Sequence, residues 1–328
     1  MRLPNILKNF WSILKSAYKE WNSDDPFALG AVTAYYAIFS LPALLVIIIT
    51  VAGFVFGQEA VTGQVSGQIS EFVGPDSAKS VEEMIKSTTE YGTSWWAVVL
   101  GVVTLIFGAT GVFYQLQKQL NRIWGLEVEP KRAWVKLIKD RATSLGVILA
   151  IGFLLLISLM LTSVLSVLSK WIEAQLPDIF LYGFFVFDFL FSASIITLLF
   201  AMIFKILPDA HIPWRATWIG AAMTTLLFLL GKFALGIYFG QADPASAYGA
   251  AGSVVLILLW VNYSSLILFF GAEFTQVYAR HKGIKIRPKA HANFLDQKVE
   301  RGLEKIKSIR KRDEDESSVP PNMSTGGA

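Results

Sequence analysis

The sequence predicts an all-α membrane protein with six transmembrane helices and with both termini in the cytoplasm. Hydrophobic residues make up 54% of the chain and charged residues only 16%, against about 25% charged residues in a typical soluble domain. Residues 249–272 form a run of 24 without a charge, which is roughly 36 Å of helix, enough to cross a hydrocarbon core of about 30 Å. In the N-terminal segment, the loops and the tail together, Lys and Arg number 25 on one side and 3 on the other, and the richer side is cytoplasmic by the positive-inside rule.

Three regions follow from this pattern. Residues 1–29 form a cytoplasmic N-terminal region, residues 30–280 form the six-helix bundle, and residues 281–328 form a basic cytoplasmic tail whose last dozen residues are polar and disordered. A polar extracytoplasmic loop at 57–94 follows the first span. The six spans are predicted at about 30–56, 95–116, 142–168, 182–206, 215–239 and 248–279.

The N-terminal region contains an amphipathic helix over residues 3–21. Apolar residues recur there at helical spacing, and lysines share the opposite side. Such a helix suits the headgroup region of a membrane, with its cations toward anionic lipids. A helix packed on the inner face of the bundle accounts for the pattern equally well.

Two local features refine the predicted bundle. Pro42 lies in the middle of the first span and should kink that helix, because proline removes one backbone hydrogen bond and clashes with the preceding turn. Small residues repeat every four positions in the third span, at Ala142, Gly146 and Ala150. This spacing favours close approach of a neighbouring helix.

Charged residues inside spans are the sharpest indication of a functional site, because each is costly in a bilayer unless it is paired or hydrated. Asp188 lies about five residues from the outer start of the fourth span, and Lys232 about seven from the outer end of the fifth. An ion pair between them is geometrically allowed. It would be either a switchable pair in a substrate or proton pathway, or a static structural pair, and Lys232 could instead extend toward the outer surface.

A second candidate site lies at the inner end of the sixth span, where Glu273 follows the apolar run. The predicted topology brings polar residues of other spans to the same level. Together with Glu273 they would line a vestibule that opens to the cytoplasm and binds or couples a substrate. The alternative is that Glu273 closes the bundle by pairing with Arg122 or Arg215. The candidate residues at this level are Tyr35, Tyr36, Asn121, Arg215 and Glu273.

The sequence lacks the motifs of common enzymes. It has no cysteine and three scattered histidines, which gives no basis for a metal cluster. It contains no nucleophile elbow, zinc-protease motif, P-loop or dinucleotide fingerprint. We therefore predict no metal, no cofactor and no enzymatic activity.

Four sequence blocks carry a family resemblance. They are AVTAYYAIFSLPALL in span one, GATGVFYQLQKQLNRIWG after span two, LPDAHIPWRATWIGA between spans four and five, and YGAAGSVVLILLWVNYSSLILFFGAEFTQVYAR in span six. Over roughly residues 15–285 the chain resembles the YihY / virulence factor BrkB family of bacterial inner-membrane proteins. The resemblance implies a six-span helical fold with both termini inside. It also implies export or envelope roles, including serum resistance, and it brings the family's older label of ribonuclease BN.

These observations lead to a transporter or exporter of the bacterial inner membrane as the predicted function. Its substrate would be an amphipathic or anionic solute, including a lipid-linked one. The alternatives are a non-transporting envelope scaffold or virulence factor, and, as a third reading, a membrane ribonuclease, for which the sequence offers no general acid–base set. Membrane lipids and an unidentified small molecule or lipid are the expected partners. Nucleic acid is not expected, and a homo-oligomer is left open.

Overall fold

The computed structural model describes residues 3–57, 95–128, 138–154, 178–242 and 251–295, with short pieces of 62–83 and single residues at 135 and 248. Most of the predicted loop 57–94 lies outside the described residues. So do residues 155–168 of the third predicted span and residues 296–328 of the predicted tail, including the dozen expected to be disordered.

The described chain is a set of long helices joined by two very small sheets. The N-terminal helix α1 is followed by six helical segments, α2–α7, each of which overlaps one of the six predicted spans. The helices are α1 (Leu3–Ser23), α2 (Pro26–Phe56), α3 (Trp95–Ile123), α4 (residues 138–154 as far as described), α5 (Asp178–Ile206), α6 (Trp214–Ala242) and α7 (Gly252–His281). The strands are β1 (Leu126–Val128), β2 (Ala210–His211), β3 (Arg287–Pro288) and β4 (Ala292–Phe294).

Three of these helices are long and apolar enough to cross a membrane within the described part of the chain. They are Phe189–Ile206 in α5, Trp214–Phe239 in α6 and Gly252–His281 in α7, and a shorter apolar stretch covers Pro26–Leu41 in α2. The structure thus supports an all-helical membrane protein. Pro42 lies inside the helix α2, and the kink expected there remains a prediction.

Helix α7 is the centre of the packing. It contacts α1, α2, α3 and α6, while α2 also packs along α3 and α5 packs along α6. Its second half is almost entirely buried. Most of the uncharged run at 249–272 therefore lies in the helix that most other elements contact.

Helices α6 and α7 interlock through two reciprocal glycine–threonine contacts. Gly220 and Thr224 are one turn apart on α6, and Gly271 and Thr275 are one turn apart on α7. A Cβ on Gly220 would overlap Thr275 and lie 2.8 Å from its Cβ, and a Cβ on Gly271 would overlap Thr224 and lie 2.9 Å from its Cβ. Each threonine hydroxyl donates a hydrogen bond to the carbonyl of the glycine on its own helix, at 2.8 Å for Thr224 and 2.6 Å for Thr275. The two helices can approach this closely only because both glycines lack a side chain.

Helix α1 packs one face onto α7 and leaves its aromatic edge exposed. Ile13 and Ala17 are buried, whereas Trp11 and Tyr18 are exposed. Phe10 meets Phe274 of α7 edge to face, with ring centroids 6.2 Å apart. The segment thus packs on the bundle, as the second reading expects, and a position in the headgroup region of a membrane stays a prediction.

The two sheets close one end of the bundle, which we call the inner end. Strand β1, after α3, pairs antiparallel with β4, and β2, between α5 and α6, pairs antiparallel with β3. Both β3 and β4 come from the segment that follows α7. The first part of the predicted tail is therefore packed onto the bundle, a feature that the sequence analysis did not predict.

Candidate functional site

Two carboxyl groups meet where α1 packs on α7. Glu273 of α7 is only 2% exposed, and its carboxyl group shares a side-chain hydrogen bond with Asp24, which directly follows α1. Glu20 and Arg280 lie at the same junction and form a bidentate ion pair of 2.9 and 3.0 Å. The structure therefore gives Glu273 another acid as its neighbour, while Arg122 and Arg215, the partners considered from the sequence, are exposed.

Unpaired polar atoms accumulate at this junction. Among the described residues, Oε2 of Glu273 is buried without a hydrogen-bond partner, and so is the indole Nε1 of Trp21. Trp21 packs on Phe270 with ring centroids 6.0 Å apart, and Phe270 lies one helical turn before Glu273. A buried donor and a buried acceptor without partners are unusual in proteins.

A second buried acid organises the inner end. Asp209, which is 3% exposed, accepts hydrogen bonds from Asn121 Nδ2 at 2.9 Å and from Gln117 Nε2 at 3.4 Å. Its other oxygen lies 2.8 Å from His291 Nε2 and 4.0 Å from Lys289 Nζ. The Asp209 backbone N–H donates to Asn121 Oδ1 at 2.8 Å. This network joins α3, the α5–α6 connection and the segment after α7.

A third group surrounds Arg141 at the start of α4. Its guanidinium lies 5.1 Å from the ring centroids of Phe107 and Tyr114, an arrangement typical of cation–π contacts. It donates to Thr110 Oγ1 at 2.9 Å and to the Phe107 carbonyl at 3.4 Å, and Tyr36 of α2 is close enough to interact electrostatically. We call these five residues the Arg141 cluster.

The residues predicted for one vestibule lie in separate places. Tyr35 and Tyr36 are exposed on α2, edge to face at 5.9 Å, and Tyr36 belongs to the Arg141 cluster. Asn121 belongs to the Asp209 network. Arg215 is exposed at the start of α6. Glu273 is at the α1–α7 junction.

The Asp188–Lys232 pair stays a prediction. Asp188 lies on α5, but its side chain is outside the described residues, and Lys232 is half-buried on α6. Both helices pack against each other, as the sequence analysis assumed.

Asp24, Arg141 and Asp209 are the residues that sequence reasoning missed. Arg141 contributed only to the count of Lys and Arg on the cytoplasmic side, and Asp209 was not singled out. One signal was available for Arg141, because an arginine that immediately precedes an apolar helix lies at the membrane interface. Asp24 and Asp209 gave no comparable local signal.

Within the described residues no group of three or more His, Cys, Asp or Glu side chains has the arrangement to hold a metal ion. The acids at the α1–α7 junction are therefore not arranged as metal ligands. What the junction and the Arg141 cluster offer chemically is hydrogen bonding, charge and a pair of neighbouring carboxyl groups.

The chain belongs to a known family. The family described as Virulence factor BrkB matches residues 17–295, most of the chain, which confirms the resemblance that the four sequence blocks carry. Two relatives are named UPF0761 membrane proteins. The one from Alcanivorax borkumensis is 28% identical over 88% of this chain and 65% of its own length, and the one from Teredinibacter turnerae is 24% identical over 85% of this chain and 62% of its own length.

A third relative, YfkH of Bacillus subtilis, has a name that describes it as ribonuclease-like. It is 21% identical over 83% of this chain and 96% of its own length. This chain spans less than two thirds of the length of each of the two UPF0761 relatives. No solved structure matches it. The family, the names of these relatives and the three long apolar helices identify the chain as a membrane protein.

Proposed function

We propose that this protein is a transporter or exporter of the bacterial inner membrane and that it moves an amphipathic or anionic solute, including a lipid-linked one. The proposal includes six spans, α2–α7, with both termini in the cytoplasm, because the count of Lys and Arg between the spans is strongly asymmetric. Membrane lipids and the unidentified substrate are its partners, nucleic acid is not among them, and a homo-oligomer remains open.

The observation that carries this proposal is the Arg141 cluster. Arginine matches the geometry of carboxylates and phosphates, and it also stacks on aromatic faces. The two rings beside the guanidinium are themselves exposed, Phe107 by 51% and Tyr114 by 39%. A cation beside exposed aromatic surface has the chemistry to bind an anionic headgroup and the adjoining apolar part of the same molecule.

The first test compares four strains of the source bacterium at matched protein levels: a deletion, the wild type, Arg141→Gln and the control Lys139→Gln. Lys139 is an exposed lysine two residues before Arg141. Small molecules and lipids would be profiled in the medium, the cytoplasm and the separated membranes. We expect one compound to accumulate inside the deletion strain and to be exported again by the wild type and by Lys139→Gln.

Arg141→Gln should lower this export roughly tenfold to a hundredfold, because a hydrogen bond to a charged group contributes about 1.5–3 kcal/mol. Full export by Arg141→Gln would remove the Arg141 cluster as the binding site. An unchanged compound profile across all four strains would contradict transport itself.

Glu273 is the first candidate for coupling transport to an ion gradient, and the Asp188–Lys232 pair is the second. The matched variant Glu273→Gln keeps the shape of the side chain and removes its ability to release a proton. If Glu273 couples transport, Glu273→Gln should retain substrate binding and lose accumulation against a gradient. Full activity of this variant at normal protein levels would exclude the coupling role.

A second candidate function is an envelope scaffold that recruits lipid or a partner through its basic C-terminal residues. The anchored segment that carries β3 and β4 favours it, because this segment, which precedes the basic residues in the sequence, is held at the inner end of the bundle. Deletion of residues 296–328 leaves both strands and His291 in place. A scaffold would lose its function in this variant, whereas a transporter would keep most of its export.

A ribonuclease activity is the remaining alternative, and only the name of YfkH and the family's older label favour it. Purified protein incubated with RNA, with and without added Mg²⁺ or Mn²⁺, provides the test. We expect no cleavage above the level of a mock preparation.

A further inference from the structure

We propose that Asp24 and Glu273 form a proton-binding site that holds helix α1 against helix α7, so that release of the shared proton loosens α1 from the bundle. The proposal concerns this one contact and stands whether or not the chain transports a solute.

The geometry of the contact requires a proton. Two carboxylates without a proton have only acceptor atoms and repel each other, whereas a protonated carboxyl group can donate to a carboxylate. Glu273 is 2% exposed and shares a side-chain hydrogen bond with Asp24. One of these two groups must therefore carry the proton in the arrangement seen here.

The surroundings of the pair do not replace that proton with another cation. The charged groups that act on the Glu273 carboxyl are Asp24 and Glu20 from α1 and Arg280 from α7 itself. Arg280 is engaged by both carboxylate oxygens of Glu20 at 2.9 and 3.0 Å. Its charge is therefore directed mainly to Glu20.

The second carboxyl oxygen of Glu273 also supports a proton on the Asp24–Glu273 pair. Oε2 is buried and, among the described residues, has no hydrogen-bond partner. An ionised Glu273 would leave a buried charge without a full set of donors, which is costly. A protonated Glu273 needs fewer donors, so the unpaired oxygen agrees with a proton on this pair.

Loss of this proton should change how firmly α1 is held on α7. Helix α1 is held on α7 by Ile13 and Ala17, by the Phe10–Phe274 contact, and by the Glu20–Arg280 pair in addition to the carboxyl pair. When the proton leaves, two like charges face each other at a poorly hydrated junction. The end of α1 should then separate from α7, while the exposed Glu20–Arg280 pair contributes little to hold it.

Thiol accessibility tests this in the full-length chain in lipid nanodiscs. The chain has no cysteine, so that Ala17→Cys introduces a single thiol at a position that is 0% exposed when α1 is docked. Ser16→Cys, on the exposed side of the same helix, is the matched reference. The ratio of their maleimide labelling rates cancels the titration of the thiol itself.

We expect this ratio to rise about fivefold between about pH 6 and about pH 9, as the pair loses its proton and the two charges repel. In the Glu273→Gln and Asp24→Asn backgrounds an amide replaces the protonated carboxyl group and can still donate, so the ratio should stay low at both pH values. Glu20→Gln, which alters the neighbouring ion pair and keeps the carboxyl pair, should retain the pH response.

A ratio that does not change with pH in the parent protein overturns the proposal, as does a full pH response in Asp24→Asn and Glu273→Gln. Asp24 lies beyond the end of α1, so Asp24→Asn serves if Glu273→Gln fails to fold. If Ala17→Cys fails to fold, Ile13→Cys replaces it. Infrared difference spectra provide the direct readout. The parent should lose a protonated-carboxyl band as the pH rises, and Glu273→Gln should show no such change.

Discussion

Gly220→Ala should destabilise the folded bundle by about 2–3 kcal/mol, in the upper part of the range found when a well-packed core is overfilled. The added methyl group would overlap Thr275 and lie 2.8 Å from its Cβ. The threonine cannot move aside easily, because its hydroxyl is bonded to the Gly271 carbonyl on its own helix. Thermal unfolding of the purified protein in detergent, followed by circular dichroism, measures the effect.

Gly236→Ala is the matched control, because Gly236 lies on the same helix and a Cβ there would meet no atom within 4 Å. Alanine is favoured over glycine in a helix by about 1 kcal/mol, so this variant should be as stable as the parent or slightly more stable. The double variant Gly220→Ala with Thr275→Gly should recover part of the loss. Equal stability of Gly220→Ala and Gly236→Ala would contradict the close approach of α6 and α7.

Asp209→Ala should have an effect at least as large, about 3–5 kcal/mol, because it removes the carboxylate from a buried network and leaves its cationic and hydrogen-bonding partners without their shared acceptor. Asn121 and His291 lose their shared acceptor, and Lys289 loses its nearby charge. The segment that carries β3 and β4 should then leave the bundle. Thermal unfolding measures the stability, and limited trypsin digestion should show new cleavage at Lys285 or Lys289.

His211→Ala provides the comparison for this experiment. His211 lies two residues after Asp209 in β2, is exposed, and pairs with Arg287 through the backbone. A change on its exposed side chain should alter the stability by no more than about 0.5 kcal/mol. If trypsin cleaves both variants at the same rate as the parent, the Asp209 network does not hold the segment.

The long helices could be predicted from the sequence because an uncharged apolar run of bilayer length is rare outside transmembrane helices. Their ends could not. The length of an apolar run reflects the thickness of the hydrocarbon core that a helix crosses, and it does not show where the helix ends. Helix α3 continues to Ile123, seven residues past its predicted end. The extra turns carry Gln117 and Asn121, which are polar but buried against Asp209. The polar composition of these turns suggested that they lie at the membrane interface. Only their tertiary contacts show that they are part of a folded inner end.

The strands and the site were beyond sequence reasoning for a related reason. Strands of two or three residues have no periodicity to detect, and β1 pairs with a segment more than 160 residues later. Glu273 was singled out because it ends an apolar run. Its partner Asp24 lies in an ordinary polar turn 249 residues earlier, and no local pattern connects the two.

The pairing of β1 with β4 and of β2 with β3 has a consequence for the order in which the chain assembles. Synthesis proceeds from the N-terminus, so α2–α7 emerge before either sheet can form. The inner end stays open until residue 294 has left the ribosome, and one short segment then joins the connections after α3 and α5 at once. A nascent chain halted before β3 should therefore insert its helices and still remain sensitive to protease at that end.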